Sequence, residues 1–446
     1  MRRGLGGLPS SARRPGFIQP GMRPLADPAR PNPGPSDPGR PHSGRPHSGR
    51  PHSGRPDSGR TPLLPPSAFS AAAIAALVGF GSTVALVVQA GLSVGGTPDQ
   101  IASMVTALCI GMAVAGGGLS LAFRMPIVLA WSTSGAALIA ASTLGIDYPT
   151  AVGTFVAAGA LTVLLGLLPA LSRLAERIPG AVAAAMLAGV LLPFCIGLFR
   201  TFETDWTLAG LLLVVYLAAR QRFPAYALLV VLVAAIGMVL ARGQVSAGGA
   251  AAFGTLAPVV PEFDWRAVVS LGVPLFLVTL VSQNLPGFVV LRTSGYEPPP
   301  RPVLMATGAA TMILAPFGAF SVNLAAITAA ICTGPDAHPD PRRRWLVGML
   351  YAGCYALLAL FSAPLVGLFT AMPAQTVAAI AGVALIGPLT NAMGAMLADP
   401  NEREAAILTF VATASGMTLL GIGAAFWGLV VGFAALGAKR LLARRG

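Results

Sequence analysis

Charge is what this chain has least of. Only 10% of its 446 residues are Asp, Glu, Lys or Arg, against about 25% in a soluble domain. So few charges cannot cover a water-facing surface, which argues against a soluble enzyme or binding module of this length. Cysteine is scarce too. Cys109, Cys195, Cys332 and Cys354 lie in apolar runs or at their ends, with no CxxC or Cys/His pattern, so they read as small packing residues rather than metal ligands. Of four histidines, three (His42, His47 and His52) fall near the start of the chain, leaving the apolar body almost without imidazole. There is no Walker A motif, so ATP does not drive this protein directly. The absence of HExxH, of GxSxG and of paired carboxylates in the apolar runs argues against catalysis. No enzyme activity, metal or cofactor is expected.

What is present is hydrophobic: 55% of residues, with a mean hydropathy of +0.74. Past residue 67 the charges sit in small clusters separated by long apolar runs. A spanning helix needs about 20 such residues, and lipid forces backbone polar groups to pair internally. The runs are apolar all round, without the period-two alternation of a membrane β-barrel. Spans are read near 68–92, 99–120, 125–143, 150–169, 179–199, 206–219, 224–241, 267–291, 302–317, 320–334, 345–363, 373–396, 405–421 and 423–440. The expectation is an all-α polytopic membrane protein of about fourteen transmembrane helices.

The net charge of +13 and pI near 10.9 do not signal nucleic acid. Eleven of the 29 basic residues lie in the first 60 positions. Residues 1–66 are rich in Pro, Gly, Ser and Arg and repeat PHSGR three times before PDSGR. Such a segment cannot offset its ordering entropy by burial and reads as a disordered cytoplasmic tail. It has no apolar core of a signal peptide.

Charge also tests the span count. With the tail in the cytoplasm, one side collects Arg124, Arg173, Arg177, Arg220, Arg222, Arg292, Arg301, Arg342, Arg343, Arg344, Arg403, Lys439, Arg440, Arg444 and Arg445. The other collects Arg200, Arg242 and Arg266. Fifteen against three is the positive-inside asymmetry, with both termini cytoplasmic. In the loop GPDAHPDPRRRW, Asp336, His338 and Asp340 read as turn formers in a basic cytoplasmic loop. Internal similarity supports a division in two: IPGAVAAAMLAGVLL from Ile178 echoes MPAQTVAAIAGVALI from Met372, and Gly153 and Gly159 echo Gly348 and Gly353. The offset is near 195. That sets a first seven-helix repeat, 67–241, against a second, 266–441. An odd number of spans per half makes the second inverted, as in many secondary transporters.

Broken spans in matching positions of the two halves point to a transporter's site. Span three, RMPIVLAWSTSGAALIAAS, has Pro126 near its start and Trp131, Ser132, Thr133, Ser134 and Gly135 in its middle. Span ten, APFGAFSVNLAAITAAICTG, is short and carries Ser321 and Asn323. Each is expected to begin extended and continue as a half-helix, with Ser132 or Thr133 and Asn323 as N-caps. Half-helix N-termini at mid-membrane suit a small anion, and Trp131 can stack on an aromatic substrate. Span eight adds Ser282, Gln283 and Asn284 before Pro286. Amides this deep are either ligands or interhelical ties. Gln89 and Asn391 are weaker candidates. No Asp, Glu, Lys, Arg or His lies deep in a span, although proton-coupled carriers usually show one. One solution is a substrate that carries the proton itself; acids at span edges, Asp99, Asp147, Glu402 or Glu404, are another.

The segments VLAWSTSGAALIAAS, SQNLPGFVVLRTSGY, NLAAITAAICTGPDAHPDPRRRW and TASGMTLLGIGAAFWGL resemble the benzoate:proton symporter (BenE-type) family, from about Ser67 to the C-terminus. The resemblance implies proton-coupled uptake of benzoate or a similar aromatic acid at the bacterial inner membrane. It also implies a place in the amino acid–polyamine–cation superfamily, with a nucleobase- or sulfate-carrier-like layout: a core of helices 1–4 and 8–11 and a gate of 5–7 and 12–14. Those nucleobase carriers place acids on spans eight and ten, where this chain has Gln283, Asn284 and Asn323. A nucleobase or inorganic-anion carrier on the same fold is the alternative. The partners expected are an aromatic acid, protons, membrane lipid and, as an open alternative, a second copy of the chain.

Overall fold

The computed structural model describes residues 64–142, 145–168, 179–224, 226–244 and 253–443. The expected tail up to residue 63, and Arg173, Arg177, Arg444 and Arg445 of the charge count, lie outside them. The first apolar stretch is α1 (Pro66–Gly81) and α2 (Val84–Ser93), followed by α3 (Pro98–Phe123). The third is a short strand β1 (Leu129–Ala130) leading into α4 (Thr133–Ala140). Then come α5 (Tyr148–Leu167), α6 (Gly180–Thr204), α7 (Trp206–Arg222) and α8 (Ala227–Ala241). The second half begins with α9 (Trp265–Thr293) and α10 (Pro300–Leu314). Strand β2 (Asn323–Leu324) leads into α11 (Ile327–Thr333). The chain continues through α12 (Trp345–Leu360), α13 (Ser362–Thr370), α14 (Ala374–Leu397), α15 (Arg403–Ala414) and α16 (Ala424–Ala443). Among the described residues, seven helices are individually long and apolar enough to cross a membrane, counting α1 with α2, or eight if α12 and α13 form one bent span.

Local sequence explains where these helices start and bend. Thr97 and Gln100 form a reciprocal capping box at α3, with Pro98 in the first turn, so orphan amides there are satisfied. Asp147 caps α5 and Asp205 caps α7. The helix α7 runs on to Arg222, three residues past the expected end of span six. Its last turn holds Arg220 and Arg222, cations favoured at a helix C-terminus. Helix α9 contains two π-helical turns, Val268–Gly272 and Leu280–Asn284. Each is followed two residues later by a proline, Pro274 or Pro286. A proline removes an amide donor and crowds the carbonyl four residues back, and a widened turn relieves that crowding. Span eleven is not one straight helix. It bends by 58° between α12 and α13, where the Ser362 hydroxyl bonds Thr106 on α3 at 2.6 Å.

The helices pack in two groups. In the first, α5 lies on α10, α12 on α1 and α3, and α2 on α4. In the second, α6 packs on α14 and α15, α15 on α16, and α7 on α8 and α14. Counted as fourteen stretches, these contacts recur with partners exchanged: the fourth packs on the ninth as the eleventh packs on the second, and the fifth on the thirteenth as the twelfth on the sixth. The α5–α10 crossing is tight at Gly159 and Gly308, where a Cβ on Gly308 would come 2.8 Å from the Val163 amide nitrogen and 2.9 Å from the Gly159 carbonyl.

An extended segment between the halves is tied to the first group. Gly254 donates to the Leu360 carbonyl, Val259 to Pro316 and Glu262 to Pro149. At the ends of α6 and α8, Arg242 grips Asp205 and Thr207. The hydrogen bond from Arg242 holds the Asp205 carboxyl well below the usual carboxylate range, so the pair stays ionised as pH falls through that range.

The crossing predicts a contrast between two glycines. Gly308→Ala presses a methyl into backbone and should destabilise by about 1–3 kcal/mol, as overpacking does. Gly353→Ala on α12, with nothing within 4 Å of its Cβ position, should be neutral or slightly stabilising. Thermal unfolding of the detergent-solubilised variants measures both.

Candidate functional site

The two broken stretches meet. Strand β1 pairs with β2 antiparallel, with Leu129 opposite Leu324 and Ala130 opposite Asn323. Ala325 also donates to the Val128 carbonyl at 3.1 Å. Both half-helices start within a few residues of this crossing. Ser132 caps α4, its hydroxyl accepting from the Gly135 amide at 2.8 Å. Asn323 is not a cap, contrary to expectation. It lies in β2, and α11 begins four residues later behind Ala326, with no side-chain cap.

Asn323 instead joins a buried chain of polar groups. The Ser132 amide donates to the Ser321 hydroxyl at 3.1 Å. Asn323 donates to the same hydroxyl at 2.6 Å and accepts from Asn284 at 3.3 Å. The Asn284 carbonyl oxygen accepts from the Leu324 amide at 3.1 Å. Four of the eight residues singled out from sequence, Ser132, Ser321, Asn323 and Asn284, thus tie α9 and both broken stretches together. All four are buried.

The other four line cavities. A cavity of about 350 Å³ lies between the two packing groups. On one side are Thr133 and Ser134 of α4, Ser282, Gln283 and Pro286 of α9, and Ala326 and Ile327 at the head of α11. On the other are Ala183, Ala184 and Leu187 of α6 and Pro388, Asn391 and Ala395 of α14. Among the described residues, Gln283 makes no side-chain hydrogen bond, and the buried Ser282 hydroxyl is unpartnered. Asn391, a weaker candidate, is in this wall; Gln89 is not, and its carbonyl oxygen is buried without a partner.

A side recess of about 100 Å³ shares Thr133, Gln283, Ala326 and Ile327 with that cavity. Its back wall holds Trp131 and Tyr355, with ring centroids 6.4 Å apart. The Trp131 indole N–H donates to the Thr83 hydroxyl at 2.6 Å, and Phe80 packs 5.5 Å from its ring. Tyr351, beside Tyr355, donates to the Leu129 carbonyl at 3.0 Å. Thr83, Tyr351 and Tyr355 escaped the sequence reading. The usable signal was the pair of tyrosines four apart on α12, one helical face of an otherwise aliphatic run.

No charged side chain is among the residues lining the large cavity or the recess. The positive element is backbone. The first-turn amides of Thr133 and Ser134 have no intrahelical acceptor and sit at the positive end of the α4 dipole. The arrangement suits a ligand with an anionic head and an apolar body.

Comparison with known proteins follows the same line. A family model described as "Benzoate membrane transport protein" matches residues 63–438. The inner membrane protein YdcO of Escherichia coli (strain K12) is 39% identical over 371 residues, 83% of this chain and 95% of that protein. A benzoate membrane transport protein of Acinetobacter baylyi is 33% identical over 371 residues, covering 83% and 94%. Among solved structures, the transmembrane domain of the cyanobacterial bicarbonate transporter BicA superposes with a TM-score of 0.56 at 12% identity, covering 82% of this chain and 97% of that one. SLC26A9 gives 0.56 at 14% identity, covering 84% and 65%. At such identities these two establish the fold, a multi-pass transporter fold.

The geometry separates bonded from cavity-facing amides. Asn284→Ala strands the Leu324 amide and the Asn323 oxygen, each buried orphan costing about 1–3 kcal/mol. It should lower the unfolding temperature and abolish transport. Gln283→Ala strands nothing and should reduce transport while leaving thermal unfolding and membrane insertion unchanged. A detergent melt beside an uptake assay distinguishes the two.

Proposed function

The chain belongs to the benzoate membrane transport protein family, and from that premise we propose that it imports benzoate or a similar aromatic carboxylate with protons by alternating access. The observation that carries the reading is the cavity of about 350 Å³ between the packing groups, which combines one cluster of free donors with apolar walls. The carboxylate accepts from the Thr133 and Ser134 amides, the Thr133 hydroxyl, Ser282 and Gln283. The ring points along Ala, Leu, Val and Ile surface toward the Trp131 recess. A ligand pocket of this kind, apolar with a few convergent polar groups, is of ordinary size for a small molecule. A nucleobase would leave much of its polar edge facing the aliphatic walls. An inorganic anion would leave most of the cavity unfilled.

The remaining architecture is read in the same terms. The exchanged contact partners support two inverted seven-helix repeats and fourteen crossings. The first packing group acts as the core and the second as the gate, and sliding along their seam exposes the cavity to either side. Both termini are cytoplasmic in this reading, as the charge asymmetry requires. No titratable side chain lines the cavity, so proton coupling falls to the substrate's own carboxyl group.

Proteoliposomes given labelled benzoate test the proposal. Uptake above that of protein-free liposomes, accelerated by an inward proton gradient, is expected. Uptake of uracil or sulfate in place of benzoate would refute it.

A further inference from the structure

A second cavity lies at the other end of α4. It also measures about 350 Å³ and is lined by Leu138, Ala141 and Ser142 at the C-terminus of that half-helix, by Val190 and Pro193 of α6, and by Thr413 of α15. Helix α4 has eight residues and is about 12 Å long at 1.5 Å per residue. The two cavities are therefore about one short helix apart. Both are walled by α6 and α9: Ala183 to Leu187 and Val278 to Pro286 for the first, Gly189 to Phe194 and Ser270 to Leu271 for the second. They lie on one seam, interrupted where α4 meets α6 near Leu187 and Val190.

Their chemistry is opposite. The first cavity faces free N–H groups. The second faces the carbonyl end of the same dipole, where the Leu138 carbonyl accepts no hydrogen bond among the described residues. The Ser142 and Thr413 hydroxyl oxygens in its lining are buried without partners, and Thr413 is itself only 5% exposed. Carbonyl oxygens repel a carboxylate but accept from a carboxylic acid O–H, and a hydroxyl can donate to the acid's C=O. Neither lining contains Asp, Glu, His, Lys, Arg, Cys or Tyr. Two guanidiniums flank the linings: Arg266 lies against Gly421, two residues from Gly423 of the second cavity, and Arg220 against Gly387, next to Pro388 of the first. Arginine is never deprotonated in proteins, so neither can take up or release a proton.

We propose that α4 sorts the substrate by protonation state: the cavity at its C-terminus receives the neutral acid, and the cavity at its N-terminus receives the carboxylate. This rests on the transport reading above, with the termini cytoplasmic, so that the neutral-acid cavity faces outward. Outside, the carboxylate takes a proton from hydronium, whose O–H bond breaks to leave water as the acid's O–H bond forms. The acid crosses the seam neutral. At the N-terminal cavity the O–H bond breaks, the electron pair stays on the carboxylate held by the amides, and the proton passes to cytoplasmic water. One proton moves per acid, and no protein group changes charge.

Two substrates of different acidity test this. Uptake of benzoate and of the more acidic 4-nitrobenzoate is measured in proteoliposomes against external pH, with protein-free liposomes subtracted. If the substrate carries the proton, the two pH profiles are displaced by the difference between the acids' own pKa values. Ser142→Ala then raises the external half-saturation concentration about 2–10-fold, the loss of one hydrogen bond, without moving either profile. Coincident profiles would assign the proton to a protein group and overturn the inference while leaving benzoate transport standing. An unchanged half-saturation in Ser142→Ala would overturn the placement of the neutral acid. Absence of uptake of both acids would overturn the transport reading itself.

Discussion

Two extended segments crossing inside a membrane protein create a debt that lipid cannot meet, because every buried backbone N–H and C=O there needs a protein partner. The pairing of Leu129 with Leu324 and Ala130 with Asn323 is the first part of the answer. Side chains supply the rest. Asn284 accepts from the Leu324 amide, Ser321 accepts from the Ser132 amide and the Tyr351 hydroxyl donates to the Leu129 carbonyl. Removing any one of them exposes an orphan in a low-dielectric interior. This crossing fixes where α4 and α11 begin, and so fixes which amides remain free.

The candidate cavity follows from that accounting. Polar groups used by the crossing are not available to a ligand, and those left over, Thr133, Ser282 and Gln283, converge on the space between the packing groups. The small residues elsewhere have a matching role. Gly159 and Gly308 let α5 and α10 touch backbone to backbone, which packs the first group without voids there, while its seam with α6 and α14 holds a cavity. In the proposed site, which has no charged side chain, an anion is held by the α4 backbone amides together with neutral hydroxyl and amide donors. Such a site has no fixed countercharge to leave unpaired when the ligand departs, a useful property for a carrier that must return empty.

Much of this was legible in the sequence. Pro126 and the run Trp131 to Gly135 marked one break, and the short stretch around Ser321 and Asn323 marked the other. The residues later found in the crossing and the cavity were singled out by their polarity in apolar runs. What composition cannot carry is which polar group answers which. Asn284 and Gln283 are adjacent and chemically alike, yet one is spent on the Leu324 amide and the other faces the cavity, a distinction set by the π-helical turn and by a strand forty residues away. Tyr351 and Tyr355 read as ordinary residues of an apolar helix because their partners come from the other half of the chain. The bend at Phe361 sits beside a contact of Ser362 with Thr106, and the segment from Gly254 to Glu262 has no periodicity to announce where it attaches. Its bonds to Leu360, Pro316 and Pro149 are long-range choices invisible in a local window.

Occupancy of the cavity is the most direct measure of the account. Ala395 lies in its α14 wall and is exposed to it, and Ala395→Cys, made in a Cys354→Ala background because Cys354 is half-buried, would offer a thiol there while Cys109, Cys195 and Cys332 stay buried. The rate of maleimide alkylation of that variant in proteoliposomes, with and without benzoate, reports whether the substrate fills the space. Slowing by benzoate at concentrations that saturate uptake, with no slowing by acetate, is the result predicted. An alkylation rate indifferent to benzoate at those concentrations would contradict a site between the two packing groups.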